Sequence, residues 1–472
     1  MFNRFFLISL VLCPMLAYGI PDVSLQVQRF KSETTSYIEV SLYIVGSSLK
    51  CNLAADYGIE YTIFVKDETD NIVAGNHYRL LSRGCPAKDL IDIKRFNLKE
   101  GKYRIETEMM DISDSLNTLS IRAETEIPNE MNVKLSDLQL LSTIRNEADG
   151  KSPLHKSGLY LEPLAFNYYF PSLQFLNLYA ETYEADHLEG QPYIRYTIKS
   201  ASGDFPAPIV SYRKVKKEKI AANVFQLDIS KLISGPYTLE ATLFDGNKNE
   251  IATESIPFSR YNPTGDSIFI ASGAMDLNTS FVTRIPEDSL KYVLKAMAPV
   301  VSSSDVGIIN NLLLNGNSKM KEFFIHQYWS ERAGKFASKA YDAYMKVAKA
   351  VDENYKSGFG YGFETDRGHI FMKYGKPDDI ITVEDEPTAP PYEIWFYNSF
   401  PATHQNNVRF LFYNPSLTKN SYKLLHSTAI GEVKNEKWEI ELYRDATLET
   451  PGVNATQMGD NVYRNARKYF NN

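Results

Sequence analysis

The sequence of 472 residues predicts a multidomain chain. Two tandem antiparallel β-sandwiches come first, then an α+β domain with helices packed on an antiparallel sheet. Three observations predict this. The length exceeds what one ordinary core organises and points to about three domains. From Pro21 to about Pro128, and again from about Gly158 to Arg260, apolar and polar residues alternate in short runs broken by turn residues. After Arg260 the pattern becomes helical, and strand-like runs return only from His369. The expected division is 1–19 as an export signal, 20–130 as the first sandwich, 131–262 as a linker plus the second, and 263–472 as the α+β domain.

The N-terminus reads as a signal peptide. Arg4 supplies the positive start, Phe5 to Tyr18 an apolar run, and Ala17-Tyr18-Gly19 a cleavage region. The run is short for a transmembrane helix. Cys13 raises the question of lipidation, but Leu12 stands where a lipobox takes a small residue, and the apolar run continues past it. A soluble exported form is the expectation. Two further cysteines, Cys51 and Cys85, form an even pair in an exported chain and are expected to make one disulfide. No Cys or His lies near them at ligand spacing, so no metal site is expected.

In the first sandwich, Tyr37–Ile44, Glu60–Val65 and Tyr103–Met109 alternate as half-buried strands do. In the second, Phe175–Glu181, Tyr193–Ile198 and Pro208–Tyr212 do the same. A repeat links the two: Gly101-Lys-Tyr-Arg-Ile-Glu-Thr-Glu-Met-Met-Asp111 matches Gly235-Pro-Tyr-Thr-Leu-Glu-Ala-Thr-Leu-Phe-Asp245. Each is a Gly-x-Tyr entry, an alternating strand and a closing Asp, one domain length apart, as a tandem duplication leaves them. The pattern resembles immunoglobulin-like or fibronectin-like sandwiches, a likeness of fold that carries no activity. Between the domains, Ser136–Ser142 fits either the last strand of the first or the first strand of the second. The basic run Arg213–Lys219 lies between strand-like segments and reads as a solvated hairpin end.

Beyond the turn Asn262-Pro-Thr-Gly-Asp266, four helices are expected. Pro286–Met297 opens with Pro and acids and carries Leu290, Val293, Leu294 and Met297 at helical spacing. A second is capped at Ser302 and stops at Gly316, and a third starts near Ser318. The fourth, Lys335 to Tyr355, is expected to bury Phe336, Ala340, Tyr344, Val347 and Val351 and to expose Lys335, Lys339, Asp342, Lys346 and Lys349. Then come a Gly-rich stretch, a strand at His369–Tyr374, strands at Ile380–Val383, Tyr392–Tyr397, Val408–Tyr413 and Lys437–Tyr443, and an exposed acidic, Pro-rich loop over 384–391. The helices are expected on one face of this sheet.

Gly362-Phe363-Glu364-Thr365-Asp366 resembles the motif of the GWxTD domain, with Phe363 where that family has Trp. Arg367-Gly368, Gly375, Pro377 and Trp395 fall where the family has similar residues. The resemblance implies a bacterial exported protein of the kind found in Bacteroidetes-like organisms. It implies no activity. Thr365, Asp366 and His369 are the candidates for catalytic groups, since a hydroxyl, a carboxylate and an imidazole lie together. Against them stands a structural reading in which Asp366 accepts backbone N–H groups in the Gly-rich turn and Arg367 pairs with Glu393. The glycines lack the Gly-x-x-x-x-Gly-Lys-Ser/Thr spacing of a phosphate loop, and no His-Glu-x-x-His or Gly-x-Ser-x-Gly occurs.

A net charge of −7 argues against nucleic acid as a partner. No cofactor is expected. The sequence therefore points to a periplasmic or outer-membrane-associated interaction protein, an accessory of a cell-envelope assembly with protein partners there. Membrane association would come through a partner rather than through Cys13. The alternatives are a hydrolase or carbohydrate-processing enzyme with a site around Thr365–His369, and a surface glycan-binding protein. The interaction reading predicts a solvent-exposed aromatic patch near Phe359–Phe363 or the 384–391 loop, and no deep polar cleft. The enzyme reading needs Asp366 and His369 to converge in a pocket.

Overall fold

Two antiparallel β-sandwiches lead into an α+β domain in the computed structural model, which describes residues 21–51, 56–128, 134–147, 150, 152–200, 207–273, 277–358, 360–386, 389–400, 403–444 and 464–471. The expected signal segment, Cys13 and Phe359 lie outside the described residues.

The first sandwich is built from β1 (Val23–Lys31), β2 (Ser36–Ile44), β3 (Asp56–Asp67), β4 (Ile72–Arg83), β5 (Leu90–Asn97), β6 (Gly101–Asp111) and β7 (Asp114–Ile127). One sheet runs β1-β2-β5 and the other β4-β3-β6-β7. Alternation turns Ile38, Val40 and Leu42 of β2 inward against Ile59, Tyr61 and Ile63 of β3, forming one core. Cys51 and Cys85 are disulfide-bonded, with Cα atoms 5.6 Å apart. The bond ties the two loops that cross between the sheets.

The second sandwich contains β8 (Gln139–Asn146), β9 (His155–Lys156), β10 (Leu159–Pro163), β11 (Tyr168–Tyr169), β12 (Phe175–Tyr183), β13 (Tyr193–Ser200), β14 (Ile209–Lys214), β15 (Ile220–Asp228), β16 (Gly235–Phe244) and β17 (Glu250–Arg260). Its sheets run β15-β12-β8-β10-β9 and β11-β17-β16-β13-β14. Without β9, β10 and β11, these orders are β8-β12-β15 and β14-β13-β16-β17, the plan of the first sandwich. The three extra strands are an insertion. The matching Gly-x-Tyr segments open the equivalent strands β6 and β16. Tyr103 Oη donates to Lys99 O at 3.1 Å and Tyr237 Oη to Ile233 O at 2.9 Å. Each Tyr thus hydrogen-bonds back four residues, the tyrosine corner of such sandwiches. Asp111 at the end of β6 and Asp245 just after β16 each accept a backbone N–H from two residues on.

Ser136–Ser142 leads into β8, which pairs with β10 and β12, so this segment starts the second sandwich. The basic run differs from expectation. β14 and β15 lie in opposite sheets, so Arg213–Lys219 crosses between sheets instead of closing a hairpin. Val215 at its centre is buried in the second core, which the charges around it hid.

The sandwiches are pinned to each other by more than the linker. Phe30 of the first packs with Leu141, Leu161 and Tyr179 of the second. Arg29 Nε lies 3.0 Å from both oxygens of Asp137. Buried Lys156 Nζ sits 3.2 Å from Glu39 Oε1 and from Glu181 Oε1, one from each sandwich. Burial lowers the lysine's pKa, and the two carboxylates oppose that.

The C-terminal part holds α1 (Pro263–Ala271), α2 (Leu290–Met297), α3 (Ser303–Asn315), α4 (Ser318–Ala333), α5 (Ala337–Tyr355), α6 (Asp366–Tyr374), β18 (Asp379–Val383), β19 (Tyr392–Phe400), β20 (Gln405–Tyr413), β21 (Lys423–Ser427), α7 (Trp438–Leu442) and α8 (Ala466–Asn471). Asn262 caps α1 by accepting Gly265 N–H, while its amide donates to Ser230 O and Leu232 O. Tyr168, Ile233 and Tyr261 of the second sandwich enter the helical core. The sheet runs β18-β19-β20-β21.

Four expectations need correction. Helices cover both faces of this sheet instead of one. The strands carry large apolar residues at both parities: Trp395, Tyr397 and Phe410 face α6, while Ile394, Leu411 and Leu425 face α7 and α8. His369–Tyr374 belongs to helix α6, not to a strand. Lys437–Tyr443 holds the short helix α7; its buried Trp438 and Leu442 share a side in either geometry at a spacing of four, so their pattern does not separate helix from strand. Helix α5 is turned from its expected orientation. It buries Ala337, Tyr341, Met345, Ala348 and Val351, leaving Phe336 and Val347 exposed at 55% and 42%.

Candidate functional site

The Gly-rich motif lies where the helical layer meets the sheet. Helix α5 ends at Tyr355, and the chain then tightens into a 3-10 turn at Gly362–Glu364 before α6. Glu364 Oε2 accepts Tyr361 N–H at 2.9 Å, and its other oxygen pairs with Lys295 Nζ at 2.7 Å. Gly362 N–H donates to Asp352 Oδ1 at 2.6 Å, fastening the turn to α5.

Two glycines are required here by close approach. A Cβ on Gly368 would lie 1.9 Å from Gly362 O, and one on Gly362 would lie 2.4 Å from Val351 O. The turn is therefore wedged between α5 and α6 at backbone contact. Phe363 is buried in the helical core, 5.3 Å edge-on from Tyr292 and 5.2 Å stacked on Tyr361. A large apolar ring fills this position among other rings.

Thr365 is the N-cap of α6. Its Oγ1 accepts Gly368 N–H at 3.1 Å and donates to Gly362 O at 2.7 Å. Asp366, in the first turn, suits the helix dipole. Its Oδ2 accepts Leu424 N–H of β21 at 2.7 Å, so it holds the sheet edge and not the Gly-rich turn expected from sequence. Burial raises its pKa, opposed by that backbone donor.

Arg367 is buried at 5% exposure. Its Nη1 donates to Glu393 Oε1 at 2.7 Å and its Nη2 to Asn420 Oδ1 at 3.1 Å, while the guanidinium stacks 4.0 Å from the Tyr422 ring centre. Glu393 Oε2 in turn accepts Trp395 Nε1–H at 2.9 Å. Asn420 Nδ2 donates to Lys356 O at 3.0 Å, just past α5. One side chain thus joins α6, β19 and the end of α5. Downstream, Gly375 O accepts Tyr397 Oη–H at 3.0 Å, and Asp378 N–H after Pro377 donates to Phe396 O at 2.8 Å. Trp395 is fully buried beside Tyr355, Phe371 and Phe412.

The catalytic candidates do not assemble into a relay. Thr365 Oγ1 and Asp366 Oδ2 are both committed to backbone partners, and His369 is exposed on α6. The expected aromatic patch is absent among the described residues of the motif, since Phe363 is buried and Tyr361 half-buried. In the 384–391 loop, Glu384 and Asp385 are exposed as expected, but Glu386 is held. Glu386, at 8% exposure, accepts from Tyr392 Oη and Tyr443 Oη at 2.7 Å each.

Several residues of this joint were missed in the sequence. Glu364, three after Tyr361, carries a readable capping spacing. Glu432, which binds Lys373 Nζ at 2.6 Å and Tyr374 Oη at 2.5 Å, has no local signal because its partners are about 58 residues away.

Among the described residues, no group of three or more His, Cys, Asp or Glu is arranged to hold a metal ion. None of the described helices is long and apolar enough to cross a membrane. A cavity of about 300 Å³ lies away from the motif, between the sandwiches, lined by Arg29, Phe30, Lys134, Asp137 and Glu254 among others. Its guanidinium is already held by Asp137.

No curated protein matches this sequence. Among solved structures, red sea bream transglutaminase aligns at 7% identity over 51% of this chain and 31% of that one, with a TM-score of 0.18. This chain thus spans about a third of that enzyme's length. CBD12 from CALX1.2 aligns at 8% identity over 44% of this chain and 75% of that one, with a TM-score of 0.14. At such scores neither likeness bears on fold or function. Residues 297–444, from the end of α2 through α7, match the GWxTD domain.

Proposed function

We propose that this protein is an exported, envelope-associated interaction protein, periplasmic or held at the outer membrane, whose C-terminal domain docks a protein partner. The observation that carries this reading is the use of the motif's own polar groups. Thr365, Asp366 and Arg367 are spent on capping, on a strand edge and on a buried ion pair. A hydrolytic site at Thr365–His369 needs the first two free, so the hydrolase alternative loses its chemistry. The glycan-binding alternative needs clustered exposed rings. The large exposed rings among the described residues, Phe170, Phe175, Tyr212 and Phe336, fall on four different segments. The Cys51–Cys85 bond supports export, because disulfides persist in oxidising compartments.

Cross-linking in intact cells, then purification of the chain from membranes, tests the proposal. One or a few envelope proteins should be enriched at defined stoichiometry. Recovery of the chain in the cytosol, or as a lone soluble monomer with no enriched partner, would overturn it.

A further inference from the structure

Among the described residues, one side of α5, together with its N-cap Phe336, is largely exposed. Phe336, Ala340, Ala343, Val347 and Ala350 follow one another at spacings of four, three, four and three residues. That alternation is the seam of a helix prepared for a second helix. Yet Phe336 and Val347 are 55% and 42% exposed, and Ala343 and Ala350 are exposed as well. The helix already packs a neighbouring side, from Ala337 to Val351, into the domain core, and Ala340 at the edge of the seam is partly buried against that core. It is therefore amphipathic twice, once for its own domain and once outward.

The flank of this outward seam is basic. Lys339 and Lys346 stand seven residues apart along one side of it, with Lys335 and Lys349 beyond them, all exposed. Asp342, within that row, lies 3.5 Å from Arg284, which offsets its charge. The other flank is closed by the domain itself through half-buried Tyr344, whose Oη donates to Ala296 O at 2.6 Å. Lys335, Lys339, Lys346 and Lys349 outnumber exposed Asp342 and Glu353 on this side, so the face is net positive in a chain of net charge −7.

We infer that this face of α5 is a docking seam for an amphipathic helix of another protein, one with apolar residues at the same three–four spacing and acidic residues along one flank. The inference rests on the interaction reading above and names its surface. Alanines at three of the five seam positions let a partner helix approach closely, at the shallow crossing angle of coiled-coil packing. Carboxylates on that partner meet Lys339 and Lys346, which sets its direction and register. A second copy of this chain would bring lysine against lysine across the seam. A lipid surface needs a broad apolar face, and one Phe, one Val and three Ala make a narrow one.

The test uses the full chain and a fluorescein-labelled synthetic helix of three heptads, with Leu along its seam and Glu on its flanks, followed by anisotropy. Saturable binding is expected. F336S/V347S should weaken it at least about tenfold. K339E/K346E should weaken it comparably and bind instead a peptide with Lys in place of Glu. These positions are exposed, and unchanged tryptophan emission would establish that the variants are folded. Binding indifferent to both double variants overturns the inference. So does self-association, or attachment to vesicles of anionic phospholipid, that these substitutions abolish. The same variants in the cellular cross-linking experiment separate the two claims. A partner still captured by both variants sinks the seam and leaves the interaction reading standing. No partner captured by the wild type sinks that reading, whatever the peptide does.

Discussion

Replacing Gly368 by Ala puts the wedge between α5 and α6 under direct strain. The added Cβ would stand 1.9 Å from Gly362 O, 2.7 Å from Gly362 C and 2.9 Å from Phe363 Cα. All three are backbone atoms, so no side chain can swing aside. Reaching even the 3.0 Å limit of real contacts requires the turn to back away from α6 by about 1.1 Å. That movement strains Thr365 Oγ1 between Gly362 O and Gly368 N, and shifts Phe363 in the core. Overpacking against a rigid neighbour costs about 3 kcal/mol, and the weakened cap adds up to about 1 kcal/mol. Trp329, Trp395 and Trp438 are the chain's three tryptophans and all lie in the C-terminal domain, so their fluorescence reports this domain alone. With a urea dependence of about 2–3 kcal/mol per molar, the midpoint should fall by roughly 1–2 M. Gly358→Ala is the control, since its Cβ would meet nothing within 4 Å, and its midpoint should stay within about 0.2 M. A G368A midpoint equal to wild type, or a G358A shift as large, would refute the wedge.

Other substitutions probe the same joint and its supports. Arg367→Ala leaves Glu393 buried and unpaired and should destabilise the tryptophan-reported transition by about 3–5 kcal/mol. Arg367→Lys should recover less than half of that, because an ammonium cannot serve Glu393 and Asn420 and also stack on Tyr422. Thr365→Ala should cost about 1 kcal/mol and Thr365→Ser almost nothing, as read by thermal unfolding. Asp266, buried and bonded to Ser234, has its pKa raised to about 6 by desolvation. Its contribution is full below the unfolded value near 4 and lost as pH rises through about 6. Wild type should therefore lose roughly 2–3 kcal/mol relative to Asp266→Asn between pH 4 and pH 7, and parallel stability curves would contradict that burial. Removing the disulfide with C51S/C85S should cost the first sandwich about 3–4 kcal/mol in a circular-dichroism melt. The tryptophan transition should scarcely move.

Much of this architecture was legible, for local reasons. Alternation in Tyr37–Ile44 or Tyr193–Ile198 reports a half-buried strand directly, and the Gly-x-Tyr repeat exposed the duplication because each copy makes its own short-range corner. Helix α3 was readable from Ser302 at one end and Gly316 at the other. Helix α6 carried the same signals, Thr365 at its start and Gly375 at its end. It reads as a strand because Ile370, Phe371 and Met372 form a short apolar run, too short to separate a helical period from a two-residue one. The orientation of α5 was illegible for a different reason. Both of its long faces bear apolar residues, and only the position of α2 and α4 decides which is buried. The joint itself was half visible. The Arg367–Glu393 pairing follows from two charges that must be buried together. The roles of Glu386, Glu432 and Asn420 depend on where distant segments arrive, and no local pattern encodes that.

The segment after Ala429 has a bearing on how such proteins diversify. Glu432 holds Lys373 and Tyr374 of α6, and beside it Gly431 N–H donates to Ser120 O of β7 at 3.0 Å while Thr118 Oγ1 donates to Lys434 O. The first sandwich therefore grips the last domain across more than three hundred residues of chain, with the second sandwich as the span between the two grips. Beads on a string tolerate insertion, deletion and exchange at any junction. A closed circuit does not, because a changed span misses the clasp at the far side. A change in the length of that span would have to be matched at both contacts for the circuit to close.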